Sequence, residues 1–435
     1  MVAILQIPIG MDKNFFHLEE HANFGAVAGF SISLTSISLS FLYIFWAAGL
    51  AAGTIAKASI IWGRPMLLYL AAVALSFFSA EVRMLALADL WVLMHAYAIF
   101  FYLVNRCITQ RDLVYIVVCL ATAMLIQGSI MIAQRAIGES LWGQRFYYGP
   151  VSFEVWEDGR TAGTLMSAVL AGSMMAIIWL VVFPVFMVIR NQKLWVYLGI
   201  TLLVGMVGLL FTQTRGAVVT VGLGVIAIAG LMFIRGWLPK WFVPMTLAAT
   251  LVAAYPLVKI IEQRVVSGDG DSAISRVHLT AIALETIPKK PIFGYGAGNC
   301  HLACLPVADQ SLYRSEWYFT IHCKYLVVWI ETGLIGLVAF LAILFNAFRQ
   351  GLGAWALKQR GLSTLGMGCV AAIAGHMVHM FVDIFNSLSQ VHTLWIVLAV
   401  TALTFRLATE QAERELRAEW KNRQLKPINR LTGAV

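Results

Sequence analysis

The sequence predicts an all-α polytopic membrane protein of about 11–12 transmembrane helices, with one long periplasmic insert that carries short helices. Three observations predict it. The 435 residues are 60% hydrophobic and only 12% charged, with a mean hydropathy of +0.80. A soluble domain of this length cannot hide so much apolar surface, whereas a bilayer accepts it helix by helix. The long runs are apolar on every side, which excludes the alternating pattern of a membrane β-barrel. Basic residues recur in every second connection between runs, which is the signature of a chain threaded back and forth across a membrane.

In chain order, residues 1–23 read as a short amphipathic lead-in. They carry acidic charge and no apolar core before a small-residue cleavage site, so the first span is expected to act as the insertion signal. Phe24 to Gly53 is one long apolar run, read as a single tilted span or as a hairpin of two short ones. Further spans are expected at 66–80, 89–104, 112–134, 161–188, 194–211, 216–234, 241–261, 325–347, 364–383 and 388–406. These bounds divide the chain into an N-terminal transmembrane bundle (1–262), a periplasmic insert (263–324), C-terminal transmembrane helices (325–406) and a cytoplasmic tail (407–435).

Charge sets the orientation. Alternate connections hold Lys57 and Arg64; Arg106 and Arg111; Arg190 and Lys193; Arg235 and Lys240; and Arg349, Lys358 and Arg360. By the positive-inside rule these lie in the cytoplasm together with the tail, and this accounts for the net charge of +9 without nucleic acid. The other face then receives 81–88, 135–160, 212–215, the insert and 384–387. Arg160, Arg215, Arg276 and His322, far apart in sequence, are thereby assigned to one face. Cys107, Cys119 and Cys369 lie in or beside spans as packing residues. Cys300, Cys304 and Cys323 fall in the insert, where an oxidising compartment would permit a disulfide. The spacing of Cys300, His301, Cys304 and His322 fits no common zinc pattern.

The stretch from Arg264 to Gly336 is where chemistry is expected. Arg215 stands in the tight turn Phe211-Thr212-Gln213-Thr214-Arg215-Gly216-Ala217 on the non-cytoplasmic side, where positive charge is not favoured. A planar guanidinium there suits a lipid diphosphate, against the blander reading of a snorkelling arginine. Arg276 opens an expected interfacial helix to Ile287, with Ile274, Val277, Ala281 and Leu284 as its apolar stripe and Ser272 or Ser275 as its cap. That cap would set Arg276 beside exposed backbone N–H groups that favour an anion. Its blander reading is a solvated helix arginine. Pro288 to Gly298 reads as a turn, with Tyr295 and Gly296 bringing backbone close to substrate or to a neighbouring span. His322 enters the next span, where an imidazole can accept a hydroxyl proton or merely hydrogen-bond at the interface. Glu331, deeper in that span, reads as structural with an arginine as a possible partner. Arg160 in Asp158-Gly159-Arg160-Thr161-Ala162-Gly163-Thr164 can hold a phosphate or a sugar, or be neutralised by Asp158. His376, His379 and Asp383 share one helical face and read as a polar packing seam rather than a proton relay.

The order of these motifs resembles the O-antigen ligase and polymerase superfamily of bacterial membrane glycosyltransferases. The resemblance rests on the Thr-Gln-Thr-Arg-Gly-Ala turn at 212–217, Ser275-Arg276, the Pro291-to-Asn299 glycine run, His322-x-x-Tyr325 and Glu331-x-Gly333-x-x-Gly336, with Arg160-Thr-Ala-Gly-Thr164 upstream. It implies an inverting transfer of glycan from an undecaprenyl-diphosphate-linked donor to a sugar hydroxyl at the periplasmic face of the bacterial inner membrane. No cofactor and no metal are implied. The partners implied are that donor, a glycan or lipid A-core acceptor and membrane lipids, without nucleic acid. His322, Arg215 and Arg276 are the expected catalytic residues; Arg160, Tyr325, Tyr295 and Gly296 are the expected substrate-binding ones. Polymerisation of surface-polysaccharide repeat units is favoured by the Arg160 motif, with ligation to lipid A-core as the alternative. The chain departs from the pattern at Cys323, where an Asn often follows the histidine, and in lacking a Pro-Asn pair after Arg160. A transporter is the reading from another class. It would show internal repeats and charges at mid-membrane, whereas here the notable charges gather at one face.

Overall fold

The computed structural model describes residues 2–9, 12–22, 27, 29–54, 58–60, 63–137, 145–148, 151–154, 159–165, 167–237, 241, 244–245, 248, 270–308, 320–357 and 359–425. The expected span at 241–261 lies almost wholly outside the described residues. Among those residues, nine helices are long and apolar enough to cross a membrane. They are α3 (Leu34–Ala51), α5 (Arg83–Arg106), α6 (Gln110–Ile137), α7 (Ala168–Val188), α8 (Gln192–Phe211), α9 (Arg215–Ile234), α12 (Lys324–Ala356), α13 (Arg360–His379) and α14 (Leu388–Leu425). A shorter apolar helix, α4 (Arg64–Ser76), is prolonged by a 3₁₀ turn to Ser79. The insert contributes α10 (Gly270–Thr286) and α11 (Cys300–Ala308), and the N-terminus two short helices, α1 (Val2–Gln6) and α2 (Glu19–Ala22). Among the described residues, strand is confined to two small antiparallel pairs, β1 (Asp12–Phe15) with β2 (Phe30–Ser33) and β3 (Arg145–Tyr148) with β4 (Val151–Glu154). The chain is thus an all-α multi-pass membrane protein.

Several boundaries differ from expectation for local reasons. The first span is 18 residues, not the whole run from Phe24, because Phe30–Ser33 pairs as a strand. Ser33 then caps α3 through a reciprocal bond with Ser36, and the buried Thr35 N–H donates to Gln6 Oε1 at 2.7 Å, which ties α1 to this start. The span expected from 161 begins only at Ala168, because Thr161 to Leu165 forms a turn clamped onto α6. There the Gly163 N–H donates to Gln134 Oε1 at 3.0 Å and the Thr164 N–H to Gln127 Oε1 at 3.1 Å. The last span continues as one helix to Leu425, through much of the expected tail (407–435), with Arg406–Glu410, Arg414–Glu410 and Arg417–Glu413 pairs one helical turn apart.

Helices α7, α13 and α14 are buried along most of their lengths and form the centre, while α3 lies outside. At one end, basic residues clamp connections. Arg406 donates to the Val104 and Cys107 carbonyls at 2.6 and 2.8 Å, and Arg235 stacks on Trp355 at 4.8 Å. At the other end lie the insert and the loops that charge alternation assigned to its face. Asn299 Oδ1 accepts from the Val82 N–H at 2.8 Å, and Ala297 N–H donates to Ser76 Oγ at 3.1 Å. Arg160 Nε donates to the Thr212 carbonyl at 3.1 Å, and the Lys324 N–H to the Met380 carbonyl at 2.9 Å.

The insert is docked on a break in α12. Gly333, at φ 66° and ψ −171°, interrupts the helix in a region open essentially to glycine alone. The interruption frees main-chain groups that the helix would have paired. The Tyr295 and Gly296 N–H groups donate to the Ile330 and Glu331 carbonyls, each at 2.8 Å, and the Leu334 N–H donates to the Pro291 carbonyl at 2.8 Å. A Cβ on Gly333 would lie 2.0 Å from the Ile292 carbonyl oxygen. Gly333→Ala should therefore lower the thermal midpoint of the detergent-solubilised protein, since the forbidden backbone alone costs about 1–3 kcal/mol. Gly230→Ala, inside α9 with nothing within 4 Å of its Cβ, should leave the midpoint unchanged or raise it. Equal midpoints for the two variants would contradict the docking.

Candidate functional site

The turn between α8 and α9 shows how the sequence builds one wall. Thr212 and Thr214 are buried. Thr212 Oγ1 donates to the Leu209 carbonyl at 2.7 Å, and Thr214 Oγ1 to the Ala168 carbonyl at 3.0 Å. Gln213 between them takes a positive φ of 51°, so the chain reverses without a loop. Both threonines pack against Gly172 of α7, where a Cβ would lie 2.8 Å from Thr212 Oγ1. This leaves Arg215, half-buried, as the first residue of α9. Gly216 follows and abuts α13, since a Cβ on it would lie 2.5 Å from His379 Nε2. Arg160, half-buried, reaches this turn through its bond to the Thr212 carbonyl, and Arg135 Nη1 steadies its loop by donating to the Gly159 carbonyl at 2.8 Å.

Helix α10 brings the second arginine. It starts at Gly270, so Ser272 and Ser275 lie inside it rather than capping it, and Arg276 stands almost two turns from its start. The backbone N–H groups expected beside Arg276 are therefore not its neighbours. The buried face of α10 is Leu279, Ile282, Ala283 and Thr286, while Val277 and Leu284, expected on the apolar stripe, are exposed. The reason is that the 279/282/283/286 face packs on α11 and α12, in one apolar cluster with Cys300, Cys304, Ile321 and Ile330. Arg276, one turn before Leu279, stands exposed at the edge of that face. Its guanidinium acts electrostatically on His322, His379 and Asp383.

His322 is half-buried, just before α12. Its Nδ1 is buried and has no hydrogen-bond partner among the described residues, and the ring also bonds the Thr320 backbone. Burial pushes the His322 pKa below the usual histidine value, and the Arg276 charge pushes it the same way. Asp383, in the connection after α13, is buried. Its Oδ1 accepts from the Ile384 N–H at 2.8 Å, and Oδ2 has no partner among the described residues. Burial holds its carboxyl above the usual range, opposed by the Ile384 N–H and by Arg276. His376 and His379 flank the Phe385 ring at 4.2 and 5.0 Å, and Phe385 itself has a positive φ of 48°.

The structure thus brings Arg160, Arg215, Arg276 and His322 to one end of the bundle. Tyr325 lies one turn below His322, and its Oη donates to the Met377 carbonyl at 2.7 Å. Tyr295 and Gly296 are joined to α12 through Ile330 and Glu331, Gly296 lies against Ala80, and Lys290 stacks over the Tyr295 ring at 4.7 Å. Glu331 is structural in a way different from the expected arginine pair: its carboxylate accepts from the Gly298 and Cys300 backbone N–H groups at the start of α11. All six cysteines are free thiols. No group of three or more His, Cys, Asp or Glu among the described residues is arranged to hold a metal ion. The sequence reading passed over Gln127 and Gln134. Two glutamines seven residues apart in an otherwise apolar run were a readable signal for a buried clamp. It also passed over Lys324, whose Nζ bonds Asn386 Oδ1.

Residues 200–341 match a family model described as O-antigen ligase. The matched stretch, about a third of the chain, contains Arg215, Arg276, His322, Tyr325 and the Gly333 break, and it supports the resemblance to the O-antigen ligase/polymerase superfamily. No curated protein matches the chain.

The contact between Gly216 and His379 is testable by itself. Gly216→Ala should lower the thermal midpoint by several degrees, on the order of 1–3 kcal/mol for overpacking. Gly216→Ala with His379→Ala should recover part of that loss relative to the sum of the single changes. Strict additivity would remove the contact from the site.

Proposed function

We propose that the chain is an inverting glycosyltransferase, moving a glycan from a lipid-diphosphate donor onto a sugar hydroxyl at the outer face of the bacterial inner membrane. The observation that supports the reading is the buried Nδ1 of His322, without a hydrogen-bond partner among the described residues and within electrostatic reach of Arg276, inside the stretch that matches the O-antigen ligase family. In one displacement, the acceptor oxygen attacks the anomeric carbon. The bond from that carbon to the phosphate oxygen breaks, and the diphosphate leaves with the electron pair. The hydroxyl proton passes to His322 Nδ1. Arg215 and Arg276 neutralise the charge that grows on the diphosphate, which is the main electrostatic demand of the step. Arg160 and Tyr325 bind sugar or phosphate beside them.

Two acceptors remain in this reading. The motif at 160–164 favours a growing repeat-unit polymer, and the description of the matching family as O-antigen ligase favours ligation. Purified protein incubated with an undecaprenyl-diphosphate-linked repeat unit separates them. A product ladder without lipid A-core means polymerisation; a single shift that requires lipid A-core means ligation. Wild-type protein that forms neither product would overturn the reading.

Arg215→Ala, Arg276→Ala and His322→Ala should each lower kcat/KM by about 10²–10⁴-fold. The pH profile adds a sharper expectation. His322 must be neutral to accept a proton, so kcat/KM should fall as pH drops through the His322 pKa, and that limb should lie below 6.5. Arg276→Gln removes a nearby cation, stabilises the imidazolium and should move the residual limb to higher pH. Arg276→Lys keeps the charge and should keep the limb. An acid limb at the same pH in both variants would separate Arg276 from His322.

A further inference from the structure

A cavity inside the bundle is not used by the polar site. It lies among α5, α12, α13 and α14, and its volume is about 40 Å³. Most of its wall is apolar, but Asp89, Lys324, His376, Asn386 and Gln390 also line it. Asp89, Lys324 and Asn386 are half-buried, and His376 is only 2% exposed. The Phe385 ring, flanked by His376 and His379 at 4.2 and 5.0 Å, parts this cavity from the histidine on which Arg276 acts.

The polar groups of the cavity are not satisfied by one another. His376 Nδ1 is buried and has no hydrogen-bond partner among the described residues, which is costly for a polar nitrogen. Lys324 and Asp89 attract each other, yet among the described residues no direct hydrogen bond or ion pair joins them. Lys324 Nζ bonds Asn386 Oδ1, which offers a dipole and no counter-charge. The other carboxyl group within reach, Glu331, is already held by the Gly298 and Cys300 N–H groups. Gln390 is engaged as well, since its Nε2 donates to Ser173 Oγ at 2.7 Å. An ammonium and a carboxyl group inside a membrane bundle persist only where something links them. Water fills that role: each molecule needs about 10–15 Å³ and two to four polar partners, so roughly three fit.

We propose that this cavity holds a small cluster of ordered water, and that Lys324 and Asp89, joined through it, are positioning residues for His322. The positioning role rests on the functional reading above; the water cluster does not. Lys324 comes two residues after His322. Its N–H donates to the Met380 and Asp383 carbonyls at 2.9 and 3.1 Å, and its side chain bonds Asn386, so it ties the entry of α12 to the connection after α13. Helix α5 takes no part in those bonds. Asp89 brings α5 into the tie through the water, which bridges two groups almost as well as a direct hydrogen bond. The bridge also leaves the ammonium free to keep Asn386. His322 thereby takes its place from three helices, and a proton acceptor set slightly out of place acts on the rate.

The water is tested on the wild-type protein, without reference to activity. Short X-ray pulses turn bound water into hydroxyl radicals in place, and these oxidise the side chains beside it. Met380 lines the cavity and is 1% exposed; Met124 and Met367 are 0% exposed in the apolar core. Met380 should be oxidised several-fold faster than the other two, and equal rates overturn the water cluster. The positioning pair is tested by transfer kinetics. Asp89→Asn and Lys324→Met should each lower kcat by about 10–10²-fold with little change in KM. The double variant removes both charges and leaves neither unpaired, so it should lose no more than Lys324→Met alone. Losses that multiply, or that fall on KM, overturn the pair. A wild-type protein that transfers no glycan overturns the functional reading and the positioning role with it, while the oxidation rates still decide the water.

Discussion

The arrangement depends on a break in one helix. In a continuous α12, the Ile330 carbonyl would accept from the Leu334 N–H. The positive φ of Gly333 removes that bond, and in a low-dielectric setting an unpaired main-chain group costs several kcal/mol. The insert supplies the replacements: Pro291 accepts from Leu334, and Tyr295 donates to Ile330. The break and the glycine turn therefore require each other. A Cβ on Gly294 would lie 2.5 Å from the Glu331 main chain, so the approach is close from both sides. Glu331 closes the same joint through its side chain by accepting from Gly298 and Cys300, at the start of α11. A carboxyl group deep in a span is thereby matched with the start of a short helix, without an arginine partner.

What this joint fixes is the position of α10. That helix packs its Leu279–Ile282–Ala283–Thr286 face on α11 and α12, so the docking of the turn decides which way Arg276 points. The guanidinium is carried by an insert whose anchor is main-chain hydrogen bonding, and its targets sit on the bundle. Arg215 and His322 are placed by separate means, a threonine-buttressed turn and the entry to α12. An arrangement held at one end of the bundle by three independent supports tolerates change in any one of them poorly. It also explains why His322 stays neutral there: burial and a neighbouring cation both disfavour its charged form.

Much of this was legible in the residues, and the illegible part has a physical cause. Alternating loop charge assigned 81–88, 135–160, 212–215, the insert and 384–387 to one face, and contacts such as Val82–Asn299, Arg160–Thr212 and Lys324–Met380 join these loops at one end of the bundle. Charge reports topology because each crossing has to leave its cations on one side. Hydropathy reports less about helix ends. A run that is apolar on all sides has no period to read, so Phe24–Gly53 hid a strand and a later start, and Thr161–Leu165 hid a clamped turn. On α10 an apolar stripe was visible, but Val277 and Leu284 compete with Leu279 and Ile282 for the buried side, and only the packing partner decides between them. His379 and Asp383 read as a polar seam because their spacing was all that could be seen. Gly216, far earlier in the chain, supplies the close approach of α9 to His379, and nothing local announces such a contact.

The start of α12 and the end of α13 form one unit. The Lys324 N–H donates to both the Met380 and the Asp383 carbonyls, at 2.9 and 3.1 Å, and Lys324 Nζ holds Asn386. The free N–H groups of one helix thus cap the free carbonyls of the other, so each satisfies ends that the bilayer would leave costly. His322 lies just outside this splice on one strand of chain, and His379 and Asp383 flank it on the other. Tyr325 and Phe381 close its lower side. A shift of α13 relative to α12 would therefore displace the polar groups above and the aromatic pair below together.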